Sequence, residues 1–166
     1  MLLPAHRTTA SNKVLRSEVD SPPGGKQMGL VYAEIELASV DDLFLHRRGL
    51  LAEEKIKKMT VNAFVDSGSY MLVITEHVRQ QLDLPFIEEQ VFRMVDETEV
   101  RGQIVGPVEV RFENRRATAD AVILKAVTEV LLGSIPMEDL DVVIDPKQQR
   151  LVVNPESPYI ATKYLK

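Results

Sequence analysis

Asp66-Ser67-Gly68-Ser69 is the stretch of this chain best equipped for chemistry. A carboxylate, two hydroxyls and a glycine follow one another, so an acid-base group, hydrogen-bond donors and bare backbone arrive in a single turn. Such a carboxylate can take a proton from water or give one to a carbonyl oxygen. The chain has no Cys, which removes disulfides, thiol catalysis and thiolate metal sites together. Its 3 histidines, His6, His46 and His77, lack ligand spacing and read as surface or packing residues. Neither a metal nor an organic cofactor is expected.

A catalytic turn is useful only if something rigid delivers it. Met59, Val61, Ala63 and Val65 alternate with Thr60, Asn62 and Phe64, a strand pattern that runs straight into Asp66. After the turn, Met71-Leu72-Val73-Ile74 is apolar throughout, as expected of a strand covered on both faces. Thr75 can cap a short helix in which Val78 and Leu82 share a face, and Pro85 is its expected stop. Upstream, Val31, Ala33, Ile35 and Leu37 alternate with Tyr32, Glu34 and Glu36 in a first strand. Residues 39–58 break that alternation; Glu53 to Lys58 fits a short helix or a solvated loop equally well.

Downstream, the runs Val91 to Val95 and Val100 to Val105 flank the polar tip Asp96-Glu97-Thr98, which predicts a β-hairpin. A separate strand follows, with Val108, Val110 and Phe112 on one side and Glu109, Arg111 and Glu113 on the other. Asn114-Arg115-Arg116 reads as a polar turn into a strand over 117–124. Val130-Leu131-Leu132-Gly133 is a further apolar strand, and Pro136 to Leu140 fits a one-turn helix with proline in its first turn. Val142 to Ile144 and Leu151 to Val153 close the domain around Asp145-Pro146.

The 166 residues suffice for one domain and some tail. With 45% apolar residues, 5% aromatics and no Trp, the core falls to Val, Leu and Ile, and the β-branched content favours sheet. The expected fold class is all-β with one or two short helices. Residues 1–27, polar and aperiodic, are expected to be a disordered tail; 28–155 form the domain and 156–166 a C-terminal tail. A net charge of −5 gives no general attraction to nucleic acid. No apolar run approaches a membrane span, and the start lacks the features of a signal peptide, so a soluble cytoplasmic protein is expected.

An apolar strand entering Asp66-Ser67-Gly68, followed later by Leu131-Leu132-Gly133 and a short helix, resembles the retropepsin-like aspartic proteases. The likeness covers roughly residues 28–155 and is nearest to small single-domain members of bacterial type. It implies a half-barrel in which Asp66 is the single catalytic carboxylate. Because the chain contains one such triplet, the resemblance implies a homodimer whose second Asp66 completes the site, its axis passing between the two. Ser67, at a position usually Thr, would hydrogen-bond across that axis to backbone of the other subunit. Gly68 would let backbone approach the carboxylate and donate its N–H. Ser69 would either donate to the ionised carboxylate, favouring an acidic optimum, or face solvent as an ordinary turn hydroxyl.

Asp96, Glu97 and Thr98 would form a flap closing over an extended peptide or unfolded protein segment, with Glu99 adding acidity that disfavours acidic substrates; the alternative is an ordinary exposed hairpin. Met94, Ile104 and Leu131-Leu132 are candidate cleft walls. The sequence departs from the family at Tyr70, where small or polar residues are common, so that the cleft would narrow. It departs again at Ser134-Ile135, which replaces the Arg-Asp pair that braces viral dimers. The leading function is a homodimeric aspartic endopeptidase. A catalytically silent module of the same fold, binding peptides or proteins, is the alternative; a structural role would carry a large apolar surface remote from Asp66.

Overall fold

The computed structural model describes residues 29–165. The expected N-terminal tail over 1–27 lies outside the described residues. Strand β1 (Tyr32–Ser39) pairs antiparallel with β2 (Lys58–Val65), Ile35 opposite Val61. Strands β3 (Leu72–Ile74) and β7 (Leu131–Leu132) lie side by side in the middle of the sheet. Beyond them come β6 (Arg115–Ile123), β5 (Glu99–Phe112) and β4 (Phe86–Arg93). The order is β1-β2-β7-β3-β6-β5-β4, and the sheet curls until β1 also pairs with β5, Leu37 opposite Val110. The apolar face of each alternating strand thereby turns inward: Ile35, Leu37, Ala63, Val65, Leu72 and Val110 are all buried in one cluster. Outside this sheet, β8 (Val142–Asp145) and β9 (Arg150–Val153) form a separate two-stranded hairpin.

Three short α-helices occur among the described residues: α1 (Val40–Arg47), α2 (Glu76–Leu82) and α3 (Ser134–Leu140). In α2 the Thr75 hydroxyl accepts the Val78 N–H at 3.2 Å, Val78 and Leu82 are buried, and the left-handed Asp83 stops the helix ahead of Pro85. Helix α1 corrects the reading of 39–58, since the helix precedes Glu53 and only a short 3-10 turn, Glu53–Lys55, follows it. Its polar and apolar residues form no continuous stripe, so periodicity could not reveal it. Caps hold it instead. The Ser39 hydroxyl accepts the Asp42 N–H at 3.2 Å, and the buried Asp42 carboxylate accepts the Lys57 N–H at 2.8 Å.

Two further expectations are corrected. Val100 to Val105 and Val108 to Phe112 belong to one strand, β5, kept continuous by a bulge between Val105 and Val108 where Gly106 takes φ 132°. Arg115 is not a turn residue: it opens β6 and is only 2% exposed, the turn being Glu113-Asn114 with Glu113 at φ 50°. The Arg115 guanidinium donates to the Ser157 carbonyl and lies 3.5 Å from Asp141. At the C-terminal cap of α3, the Asp141 carboxylate also accepts from Asn154 Nδ2 at 2.9 Å, Ser157 Oγ at 2.5 Å and the Thr162 N–H at 2.9 Å. The Ser157 hydroxyl, the Thr162 amide and the Asn154 side chain hold this carboxyl down at about 2. One carboxylate thus ties the last described segment to the body of the domain.

Candidate active site

Strand β2 ends with the buried Val65, and its backbone carries Asp66 into the turn on rigid hydrogen bonds. Phe64 and Val65 pair in parallel with Leu131 and Leu132. The Phe64 N–H donates to the Val130 carbonyl at 2.8 Å, and the Asp66 N–H donates to the Leu132 carbonyl at 3.0 Å. On the other side, the Val65 N–H donates to the Val31 carbonyl at 2.8 Å. The turn closes with the Ser69 N–H donating to the Asp66 carbonyl at 3.1 Å, while the Gly68 N–H donates to Asp66 Oδ1 at 3.0 Å. Asp66 is half-buried, whereas Ser67 and Gly68 are exposed. The carboxylate is therefore oriented from behind and open in front.

A second set of backbone bonds fixes the far side of the turn. The Ser134 N–H donates to the Ser69 carbonyl at 2.7 Å, and the Ile135 N–H donates to the Tyr70 carbonyl at 3.0 Å. Gly133 makes this approach possible, because a Cβ there would overlap the Met71 carbonyl oxygen and stand 2.7 Å from Met71 N and Tyr70 C. Leu131, Leu132 and Gly133 thus lie beside Asp66. The sequence marked Ser134 and Ile135 only as a departure from the family and did not reveal this role, which they fill through backbone amides with no side-chain signal.

Of the turn residues, Gly68 donates its N–H to the carboxylate. Ser69 meets Asp66 through backbone rather than through its hydroxyl. The candidate walls divide. Ile104 and Leu131 belong to a second apolar cluster with Val73 and Val122, flanked by Met71, Phe92, Leu124 and Val127. Leu132 faces the main core instead, and Met94 is exposed on the hairpin. Leu131 is opposite Val73 and next to the residue that binds the Asp66 amide, so this cluster adjoins the turn. The unbroken apolar run 71–74 was its signal: adjacent residues on a strand face opposite ways, so both sides had to be covered.

The hairpin of β4 and β5 is rooted in that cluster by Phe92, the one half-buried residue of an otherwise exposed strand. Gly102 makes room for it, since a Cβ there would come within 2.7 Å of Phe92 Cε2 and 2.9 Å of Leu124 Cδ2. At the tip, the Met94 N–H donates to the Thr98 carbonyl at 2.8 Å, and Glu97 takes φ 66°. Asp96 Oδ1 accepts the Thr98 hydroxyl at 2.6 Å and the Thr98 N–H at 3.0 Å; this hydroxyl above all lowers the Asp96 carboxyl. Glu99 lies 3.2 Å from Arg93, so its charge is paired.

Among the described residues no His, Asp and Glu side chains gather as a metal site, and no helix is long and apolar enough to cross a membrane. An open groove of about 830 Å³ borders α3 and the C-terminal segment, lined by Ile135, Met137, Asp141, Ser157 and Tyr164; Asp66 is not part of it.

No protein-family model matches the chain, and no curated protein matches it. Solved structures do. The retroviral protease-like domain of Ddi1 from Leishmania major is 17% identical, over 65% of this chain and 86% of that one, with a TM-score of 0.41. A retropepsin-like aspartic protease from Rickettsia conorii is 16% identical, over 70% and 88%, with a TM-score of 0.40. EIAV protease is 18% identical, over 49% and 77%, with a TM-score of 0.40. The chain is all-β with short helices, and retroviral and retropepsin-like proteases are among the solved structures it is similar to.

Proposed function

We propose that this chain is an aspartic endopeptidase whose domain spans residues 28–155 and whose site is completed by a second copy. The observation that carries the reading is the Asp66 turn: a carboxylate oriented by the Gly68 N–H at 3.0 Å, open to one side and clamped by the Gly133–Ile135 segment. One carboxylate cannot be base and acid at once. Two Asp66 side chains meeting at a twofold axis would share a proton, because like charges in contact do not both ionise.

The ionised Asp66 then takes a proton from water as its oxygen bonds to the peptide carbonyl carbon, and the partner's Asp66 passes its proton to the carbonyl oxygen. Collapse of the tetrahedral diol breaks the C–N bond with protonation of the leaving nitrogen, giving a carboxylic acid and an amine. Ser67, exposed beside the carboxylate, would hold the two turns in register across the axis. The hairpin tip Asp96-Glu97-Thr98 would close over an extended peptide, whose side chains would pack on the half-buried Leu131 and Phe92.

A second reading has its own support: β4 presents an exposed outer edge, which a peptide could extend without any hydrolysis. Wild type and Asp66→Asn should be incubated with a diverse peptide library from about pH 3.5 to 7 and read by mass spectrometry. Cleavage lost in the variant is the expected result. Equal cleavage by both proteins would remove Asp66 from the chemistry, and peptide binding without cleavage would transfer the assignment to the silent module.

A further inference from the structure

The three segments that converge on the active turn have an unusual composition. The chain is 27% charged, yet residues 29–33, 59–75 and 130–137 together carry a single charged side chain, Asp66. Besides Tyr32, 40% exposed, three large apolar side chains in them are more than half in water: Leu30 is 55% exposed, Tyr70 75% and Ile135 58%. Each is fixed to the turn by backbone. Leu30 precedes Val31, whose carbonyl accepts the Val65 N–H, and the Tyr70 carbonyl accepts the Ile135 N–H at 3.0 Å. Their positions are set by the same hydrogen bonds that orient Asp66.

We propose that Leu30, Tyr70 and Ile135 form an apolar rim around Asp66 that docks on the same rim of a second copy, with no ion pair taking part. The inference rests on the two-copy reading above and gives its interface a chemistry. A twofold contact sets each patch against itself, so any charge near the axis would meet its own kind. The three segments carry none except Asp66, whose pairing with its mate the reaction requires. Depletion of charge with exposed aromatic and aliphatic anchors is also what marks the centre of a protein interface. A substrate could instead cover Tyr70 and Ile135; the association of the bare chain separates the two cases.

Sedimentation equilibrium of the full chain should be compared between about 0.05 and about 1 M NaCl, where exposed ion pairs are screened. The dimer is expected to hold or tighten with salt. Tyr70→Asp and Ile135→Asp should each weaken it about a hundredfold or more, since every substitution enters the interface twice. Phe44→Asp, on an exposed residue of α1, is the control and should leave association unchanged, with circular dichroism checking the fold of all three.

Steep loss of the dimer with salt would overturn the apolar rim. So would a dimer indifferent to both rim variants, and in that case cleavage dependent on Asp66 would leave the two-copy protease standing. A chain that cleaves through Asp66 yet never associates would overturn rim and two-copy site together.

Discussion

Gly133→Ala tests the brace behind the Asp66 turn without altering residues 66–69. At φ −86° alanine is conformationally at ease, so the whole effect is steric. The added methyl would overlap the Met71 carbonyl oxygen and stand 2.7 Å from Met71 N and Tyr70 C, and these are backbone atoms with no rotamer to escape into. Overpacking of this kind costs about 1–3 kcal/mol, which for a domain of this size lowers Tm by roughly 3–10 °C. Relief requires strand β7 and the loop at 70–71 to part, stretching the bonds at 2.7 and 3.0 Å that join Ser134 and Ile135 to the turn. A displacement on the order of 1 Å at a catalytic group costs about a hundredfold in rate. Thermal melts by circular dichroism and kcat/KM on one peptide read both effects. Gly49→Ala is the comparison: at φ +73° with nothing within 4 Å, it should lose about 1 kcal/mol to backbone strain and keep full activity. A Gly133→Ala protein that melts and cleaves like wild type would show that the turn does not depend on the missing side chain at 133.

Two other perturbations follow from the same geometry. The Asp141 carboxyl is held at about 2, below its ordinary 3.8, so its contribution is complete above the unfolded value and disappears as pH falls towards the folded one. Asp141→Asn should therefore lower stability by about 2 kcal/mol at pH 7 in urea titrations and by almost nothing near pH 2; a difference independent of pH would exclude the charge as its source. Gly102→Val should push Phe92 out of the second apolar cluster and free the hairpin. Faster hydrogen exchange at the Met94 and Glu97 amides, with β1 and β2 unchanged, is the expected signature, and unaltered exchange at the tip would dissociate Phe92 from its position.

Legibility in the sequence followed the physics of each element. Strands with one wet and one dry face announce themselves by alternation, and β1 and β2 were readable to within a residue or two for that reason. The turn was legible because Asp, Ser and Gly are turn residues lying directly after a strand. Helix α1 was hidden because Ser39 and Asp42 hold it through polar caps and a contact with Lys57, a residue 15 positions away from Asp42. Arg115 was misread because its burial depends on Asp141 and Ser157, more than 20 residues downstream, and hydropathy by itself assigns arginine to the surface. The backbone brace at Ser134 and Ile135 had no signature at all beyond the glycine before it, whose missing side chain leaves the space.

In the proposed protease two Asp66 carboxylates, one from each copy, make one site. Mixing wild type with increasing Asp66→Asn protein at fixed total concentration, and measuring cleavage after subunit exchange, tests it most directly. Activity falling with the square of the wild-type fraction is the predicted result. A linear fall would mean that each chain cleaves alone, contradicting the shared site.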